Sequence, residues 1–403
     1  MAGTLFVGVE DLVLEGPEEV CARAAAWGIT ELAVSYAYHA ARDVASHSGV
    51  GAIVRKDGIH FVPREDAFAG SGLVPDELQD DATLPARVAA AAARHGIDVL
   101  GWAVFLHHEA LGARHPEITQ CNVFGGRAAP ADLCPSQPRV REYCTELALA
   151  LADTGVTTVV AESLHYGSFG HGYHHERDMV GLGPVEQFLL GLCFCHGCEA
   201  ATAGTGVDVR SARDEARSYL DARLAGLEPA SGADRRLTLD WLESSVGRNI
   251  AHYAAARTGV ITSLVAEVAT ALAALGVHLV VLDLTGAQQG YGDGLPPEAS
   301  GIDEAWQIGL DIRAVAAHAD VGILAYARSL QRVVDETARY TSELGASGAK
   351  LRVLLRPGLP DCGSPADLVE KSAAVRAAGA SAGYYHYGLY PLPVLERIAG
   401  ATL

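Results

Sequence analysis

The chain has 403 residues, 49% of them hydrophobic and 6% aromatic, and a formal charge of −19. That apolar content supports a large core and excludes an intrinsically disordered chain. The acidic balance, without any Lys/Arg cluster, excludes nucleic acid and anionic membrane as expected partners, because phosphate recognition needs a basic face.

Apolar runs fall short of the ~20 residues of a membrane span. The opening MAGTLFVGVEDL lacks the basic start of a signal peptide, so a cytoplasmic protein is expected. Eight cysteines in a chain this long are too few for a disulfide scaffold.

Along the chain, short apolar runs alternate with Ala-rich helical stretches. The runs are residues 5–9 (LFVGV), 31–35 (ELAVS), 98–105 (DVLGWAVF), 157–163 (TTVVAES), 278–284 (HLVVLDL), 321–327 (VGILAYA), 351–358 (LRVLLRPG) and 381–389 (SAGYYHYGL). Such near-continuous runs predict strands buried on both faces, as in a parallel sheet. Gly28, Gly96, Gly155, Gly276 and Gly379 each stand just before a strand. A helix needs a left-handed residue there, and glycine supplies it without a Cβ clash. Eight such units predict an α/β fold, a (β/α)8 TIM barrel, in preference to a doubly wound sheet.

One barrel domain is expected over 1–403, with long insertions after strands 2 and 4. Residues 43–83 hold a hairpin-like piece, GAIVRKDGIHFVP. Residues 164–236 start rich in His and Cys, run into a charged helix over 212–226 and end in a Pro/Gly/Ser turn. Residues 240–275 read as one long helix or two. Loops after strands line the catalytic face of a barrel, so insertions there point to function.

The sharpest motif is Cys193-Phe-Cys195-His-Gly-Cys198. Thiolates at this spacing on a tight loop suit one tetrahedral zinc, and a reducing compartment favours metal over disulfide. The fourth ligand is open among Cys134, Cys144, His196 and the His174/His175 pair.

The order Cys134-Pro-Ser-Gln-Pro-Arg-Val-Arg-Glu-Tyr, then a strand ending in Glu162, then Cys-x-Cys-x2-Cys resembles the middle of the family-42 β-galactosidases, over about residues 95–200. Asn122–Gly125 (NVFG), Leu133-Cys134-Pro135 and Cys193-Phe194-Cys195 also resemble a group of uncharacterised glycosidase-like barrels. The resemblance implies a structural zinc on Cys134, Cys193, Cys195 and Cys198. Four thiolates leave it no open position for water or substrate. It also implies that Glu162, at the C-terminal end of strand 4, is the general acid.

Two positions depart from that pattern. Strand 7 ends in Arg356 where the clan carries a nucleophilic carboxylate, and the next acid is Asp361. Ala161 replaces the Asn that precedes the acid/base glutamate. Inversion or an unusual route is therefore expected, not a covalent glycosyl-enzyme. Asp283, ending strand 5, is the expected second carboxylate, with Glu10 and Asp11 as further candidates.

Histidines and aromatics gather after the strands. Tyr38, His39, Arg42, Trp102, His107, His165, His171, His174, His175, Glu176, Tyr326, Arg356 and His386 form the expected substrate-binding set. His108, Tyr36, Tyr166 and Tyr385 add polar and aromatic surface. No Gly-x-Gly-x-x-Gly, Walker loop or Gly-x-Ser-x-Gly occurs at a strand end. The expected function is glycosidase action on a small-molecule carbohydrate, with homo-oligomerisation left open. Two alternatives stand beside it. One is a divalent-metal sugar isomerase or lyase using His107, His165, His174, Glu176 and Asp283. The other is a sugar-binding barrel without catalysis.

Overall fold

Eight parallel strands form a ring: β1 (Gly3–Val7), β2 (Glu31–Tyr38), β3 (Asp98–Val104), β4 (Thr158–Glu162), β5 (His278–Asp283), β6 (Asp320–Leu324), β7 (Leu351–Leu355) and β8 (Ser381–Tyr384). Each pairs with its neighbours in the chain, and β8 pairs with β1, which closes the (β/α)8 barrel. The computed structural model describes residues 3–79, 81–127, 129–170, 179–226, 236–286, 291–296, 299–345 and 347–402.

Side chains alternate across the sheet. Phe6, Ala33, Leu100, Trp102, Val160, Val280, Leu282 and Leu354 fill the interior. Leu5, Val7, Leu32, Val34, Val159, Ala161, Leu279, Val281 and Val353 pack outward against the helices. This parity decides which residues can reach the mouth.

The five glycines before strands all adopt positive φ, from 67° at Gly96 to 88° at Gly155. At four of them the next N–H bonds back to the helix, as in Ile29 to Ala24 and Val277 to Leu272. That closes the helix end and turns the chain into its strand.

The 240–275 stretch is two helices, Leu239–Ser245 and Arg248–Ala273. The second has 26 residues and a hydropathy of 1.2 over its most apolar window, a longer apolar run than the sequence reading allowed for. It packs against the helices Pro138–Ala152 and Val209–Leu224 and against β5, burying Tyr253, Arg257, Ile261 and Leu264.

The insertion after β2 pairs differently from expectation. The hairpin joins Ala41–Ala45 to Gly51–Arg55, with Gly49 and Gly51 at positive φ in the turn. Gly58–Ile59 instead pairs antiparallel with the end of β2. Lys56-Asp57-Gly58 is not a hairpin turn, because the Asp57 carboxylate accepts from Ala40 N (2.9 Å) and Ala110 N (3.0 Å). It ties the insertion to the loops after β2 and β3.

Candidate active site and thiolate cluster

Glu162 shares the inner face of β4 with Val160 and ends the strand at the C-terminal rim. Its Oε2 accepts the Trp102 indole N–H at 2.6 Å. Burial pushes its carboxyl up to about 7, against the pull of that hydrogen bond and of His107. The side chain is nevertheless only half-buried by surface area. It is a poorly solvated group that keeps some accessible surface. Ser163 follows with φ 54°, the one non-glycine at positive φ among the described residues. That turn carries the chain out of the strand directly after the carboxylate.

An aromatic wall surrounds Glu162. The Tyr38 ring meets Trp102 edge-on at 4.8 Å and stacks on His39 at 4.5 Å. Its hydroxyl lies 3.3 Å from that of Tyr385. Trp102 also lies 6.0 Å from Tyr385 and 5.9 Å from His386. Across the mouth, Arg356 takes the inner position at the end of β7. Its guanidinium lies 4.4 Å from the Tyr326 ring centroid and makes a double ion pair with Asp361, 2.7 Å on each side. The site where the resembling family has an acid therefore holds a neutralised cation. The Tyr326 hydroxyl is buried and has no hydrogen-bond partner among the described residues.

His107 pairs with Asp132 at 3.0 Å. Burial opposes its protonation, but the Asp132 hydrogen bond and charge outweigh it and raise its pKa. His386 behaves oppositely. Burial, with Arg55 and His47 nearby, holds it well below the usual imidazole range. Burial raises Asp11 to about 6 against the charge of Arg55. The 4.0 Å approach of His386 to Asp11 is thus not a charged pair at neutral pH. A neutral ring agrees with His386 Nδ1 accepting from Gly388 N at 3.2 Å.

The barrel brings Tyr38, His39, Trp102, His107, Glu162, Tyr326, Arg356 and His386 together at one end, but not Asp283. On β5 the inner residues are Val280 and Leu282, so Asp283 faces outward. There it accepts from Thr285 N and Oγ1 (2.9 and 2.6 Å) and from Tyr340 Oη (2.5 Å). Each of its oxygens already has a partner, in a purely local role. Arg42 sits exposed on the outer side of the hairpin. His165 is buried, with Nδ1 2.8 Å from Tyr166 O. Tyr36 packs on Phe61 outside the barrel interior. His171, His174, His175 and Glu176 lie outside the described residues.

Sequence reasoning missed Arg55, Asp43, Asp132 and Tyr291. Arg55 is buried between Glu10 and Asp43, and Tyr291 lies 6.3 Å from Tyr326. Asp132 and Tyr291 come from loops, and Asp43 and Arg55 from the inserted hairpin, whose strands lie outside the barrel ring.

Cys134, Cys193, Cys195 and Cys198 form a buried cluster with sulfurs within 4.8 Å of one another. Cys134 lies 3.5 Å from both Cys195 and Cys198 and 3.7 Å from Cys193. A disulfide would need ~2.05 Å. A tetrahedron with ~2.3 Å metal–sulfur bonds has edges of about 3.8 Å. The spacing is that of metal ligation. Cys121 N points at Cys193 Sγ (3.2 Å) and Gln137 Nε2 at Cys195 Sγ (3.3 Å), donors of the kind that stabilise thiolates. Of the other candidate fourth ligands, the His196 side chain is 93% exposed and Cys144 is buried in the helix Pro138–Ala152. Among the described residues this is the one group of three or more His, Cys, Asp or Glu in ligating range. His107, His165 and Asp283 are not gathered into a second metal site.

Two adjoining cavities, of about 240 and 20 Å³, share Gly167, Ser168, Phe169 and Gly191. They open beside the loop after β4, not over Glu162, and the larger is lined by Gln187, Arg257 and Thr285.

Ring closure and eight βα units define a (β/α)8 barrel. No family model matches the chain, and no curated protein matches it. Among solved structures it is similar to the β-galactosidase of the psychrophilic Marinomonas ef1 (TM-score 0.56, 12% identity, all of this chain and 58% of that one). It is also similar to the β-galactosidase of the haloarchaeon Halorubrum lacusprofundi (0.58, 13%, all of this chain and 57% of that one). A third is the α-L-fucosidase isoenzyme 2 of Paenibacillus thiaminolyticus (0.56, 10%, all of this chain and 49% of that one). The chain spans roughly half to three-fifths of these proteins. At such identities the likeness is one of fold.

Proposed function

We propose that the chain is a glycoside-hydrolase-like enzyme acting on a small glycoside, with Glu162 as general acid. One observation carries this: the Glu162 carboxyl at the barrel rim accepts the Trp102 N–H inside an aromatic wall, where burial raises it to about 7. Such a group donates a proton to a leaving oxygen at neutral pH. The glycosidase names of the fold neighbours support the same reading. Tyr38, Trp102 and Tyr385 wall the carboxyl, and the part-exposed His39 and His107 offer polar atoms for sugar hydroxyls. Arg356 at β7 argues against a retaining nucleophile.

The four-cysteine cluster fits zinc by ligand type, spacing and burial. Zinc there would tie the loop after β3 to the loop after β4 and supply no chemistry of its own. Reduced thiolates suit a cytoplasmic setting.

The test is a panel of 4-nitrophenyl glycosides. Wild type should release nitrophenol from at least one, and Glu162→Gln should lose at least ~100-fold in kcat on it. A panel left untouched by wild type sinks the reading.

Tyr326→Phe addresses the orphaned hydroxyl. A buried hydroxyl without a partner costs about 1–3 kcal/mol, so its removal should not lower Tm. If substrate normally satisfies that hydroxyl, KM rises in the variant. A lower Tm with unchanged KM would reverse the assignment.

A further inference from the structure

Neither Arg356 nor Asp283 gives Glu162 a partner carboxylate, yet a second acid stands at the mouth. In the hairpin Arg42, Val44 and Val54 are exposed while Asp43 and Arg55 turn inward. Arg55 Nε binds Asp43 Oδ2 at 2.5 Å, and its Nη1 binds Glu10. The guanidinium lies 5.7 Å from the Tyr38 ring centroid. Gly8 makes room for it, since a Cβ there would come within 2.5 Å of Arg55 Nη2.

The hairpin leaves the barrel after β2 but is fastened beyond β8. Ser46 N reaches Gly388 O (3.2 Å), Ser46 Oγ reaches Leu389 O (2.8 Å), and His47 Nε2 lies 3.0 Å from Tyr387 O. In a ring of eight, β8 faces β4. The contacts run from Asp43 through Arg55, Tyr38 and Trp102 to Glu162, so the two carboxylates end one aromatic wall. Both also act electrostatically on Tyr291 and Tyr385, which places them around the same space.

We propose that Asp43 is the general base of an inverting hydrolysis, activating water for attack on the anomeric carbon from the side away from Glu162. This rests on the Glu162 reading. The bond from water oxygen to the anomeric carbon forms as the glycosidic C–O bond breaks. Glu162 gives its proton to the leaving oxygen, Asp43 takes one from the water, and no other reactant is needed. Inverting pairs stand ~6.5–9.5 Å apart and retaining pairs ~5 Å apart. Asp43 and Glu162 are joined through Arg55, Tyr38 and Trp102, an arrangement that agrees with a separated pair. Arg55 is the positioning residue that fixes Asp43.

The experiment uses the 4-nitrophenyl glycoside that the full-length protein hydrolyses best, with proton NMR of the first-formed anomer. Wild type should invert. Asp43→Asn should lose at least ~100-fold in kcat, and added azide should restore turnover as the inverted glycosyl azide. Retention, or an Asp43→Asn kcat within a few-fold of wild type, overturns the proposal. If Glu162→Gln alone is then inactive, the general-acid reading survives; if both variants are fully active, both fall. No turnover by wild type also overturns both. Should Asp43→Asn fail to melt cooperatively, Asp43→Glu is read instead. It keeps the ion pair with Arg55 but moves the carboxylate by one methylene, so kcat should fall at least ~10-fold, and an unchanged value overturns the assignment.

Discussion

Glu162→Gln will be more stable than wild type at pH 8 and nearly equal to it at pH 4, while losing catalysis. Wild-type Glu162 binds its proton more tightly when folded, at about 7 against an ordinary 4.5. Stability from such a group is full below the unfolded value and is lost as pH rises through the folded one. Gln never ionises, and its carbonyl oxygen can still accept the Trp102 N–H. The variant therefore gains on wild type between about pH 4.5 and 7 and levels off above, by at most about 3 kcal/mol. Partial solvent access trims that ceiling. Thermal melts across pH 4–8 read it without any substrate, and parallel Tm curves for the two proteins would refute the raised carboxyl.

On the proposed reading the same carboxyl should set the activity profile. A general acid works protonated, so kcat/KM should fall as pH rises through about 7. Trp102→Phe deletes the donor that favours the carboxylate, so this alkaline limb should move upward. A dinitrophenyl leaving group needs little protonation, and the Glu162→Gln deficit should shrink on it. Equal deficits on good and poor leaving groups would assign Glu162 to binding.

Strand positions explain what was legible in the sequence. TTVVAES and HLVVLDL both end in a carboxylate, and end position alone treats Glu162 and Asp283 alike. Parity separates them, because Val160 and Glu162 share the interior whereas Asp283 follows Leu282 to the other face. That distinction was available from the alternation of buried side chains once the interior set was known, but a doubly buried strand hides it. The glycine stops were readable because their requirement is local. Asp43 and Arg55 were not. Their place depends on Ser46 and His47 meeting the loop after β8, 340 or more residues away, and no sequence period encodes such a meeting.

Cys134→Ala should strip the metal and loosen the wall beside Glu162 without opening the barrel. Four sulfurs packed at 3.5–3.8 Å in a buried pocket would repel one another as thiolates unless a cation neutralised them. Wild type should therefore carry one tightly held metal per chain, with zinc favoured by the sulfur donors, and a mercurial should release it as four thiols react. Removing one ligand leaves three buried sulfurs poorly compensated, a cost on the order of 3–5 kcal/mol by analogy with a broken buried ion pair. On a chain of this size Tm should fall by roughly 4–6 °C, while far-UV circular dichroism keeps its barrel signature. The loss should reach catalysis through Tyr166, four residues beyond Glu162. Its hydroxyl lies 2.8 Å from Ser136 Oγ and 3.8 Å from Cys198 Sγ, and Arg257 covers its ring at 4.0 Å. With Cys134 gone, that anchor relaxes and kcat should drop further than KM changes. A metal-free wild type, or a Cys134→Ala protein with unchanged Tm and kcat, would reduce the cluster to four packed thiols.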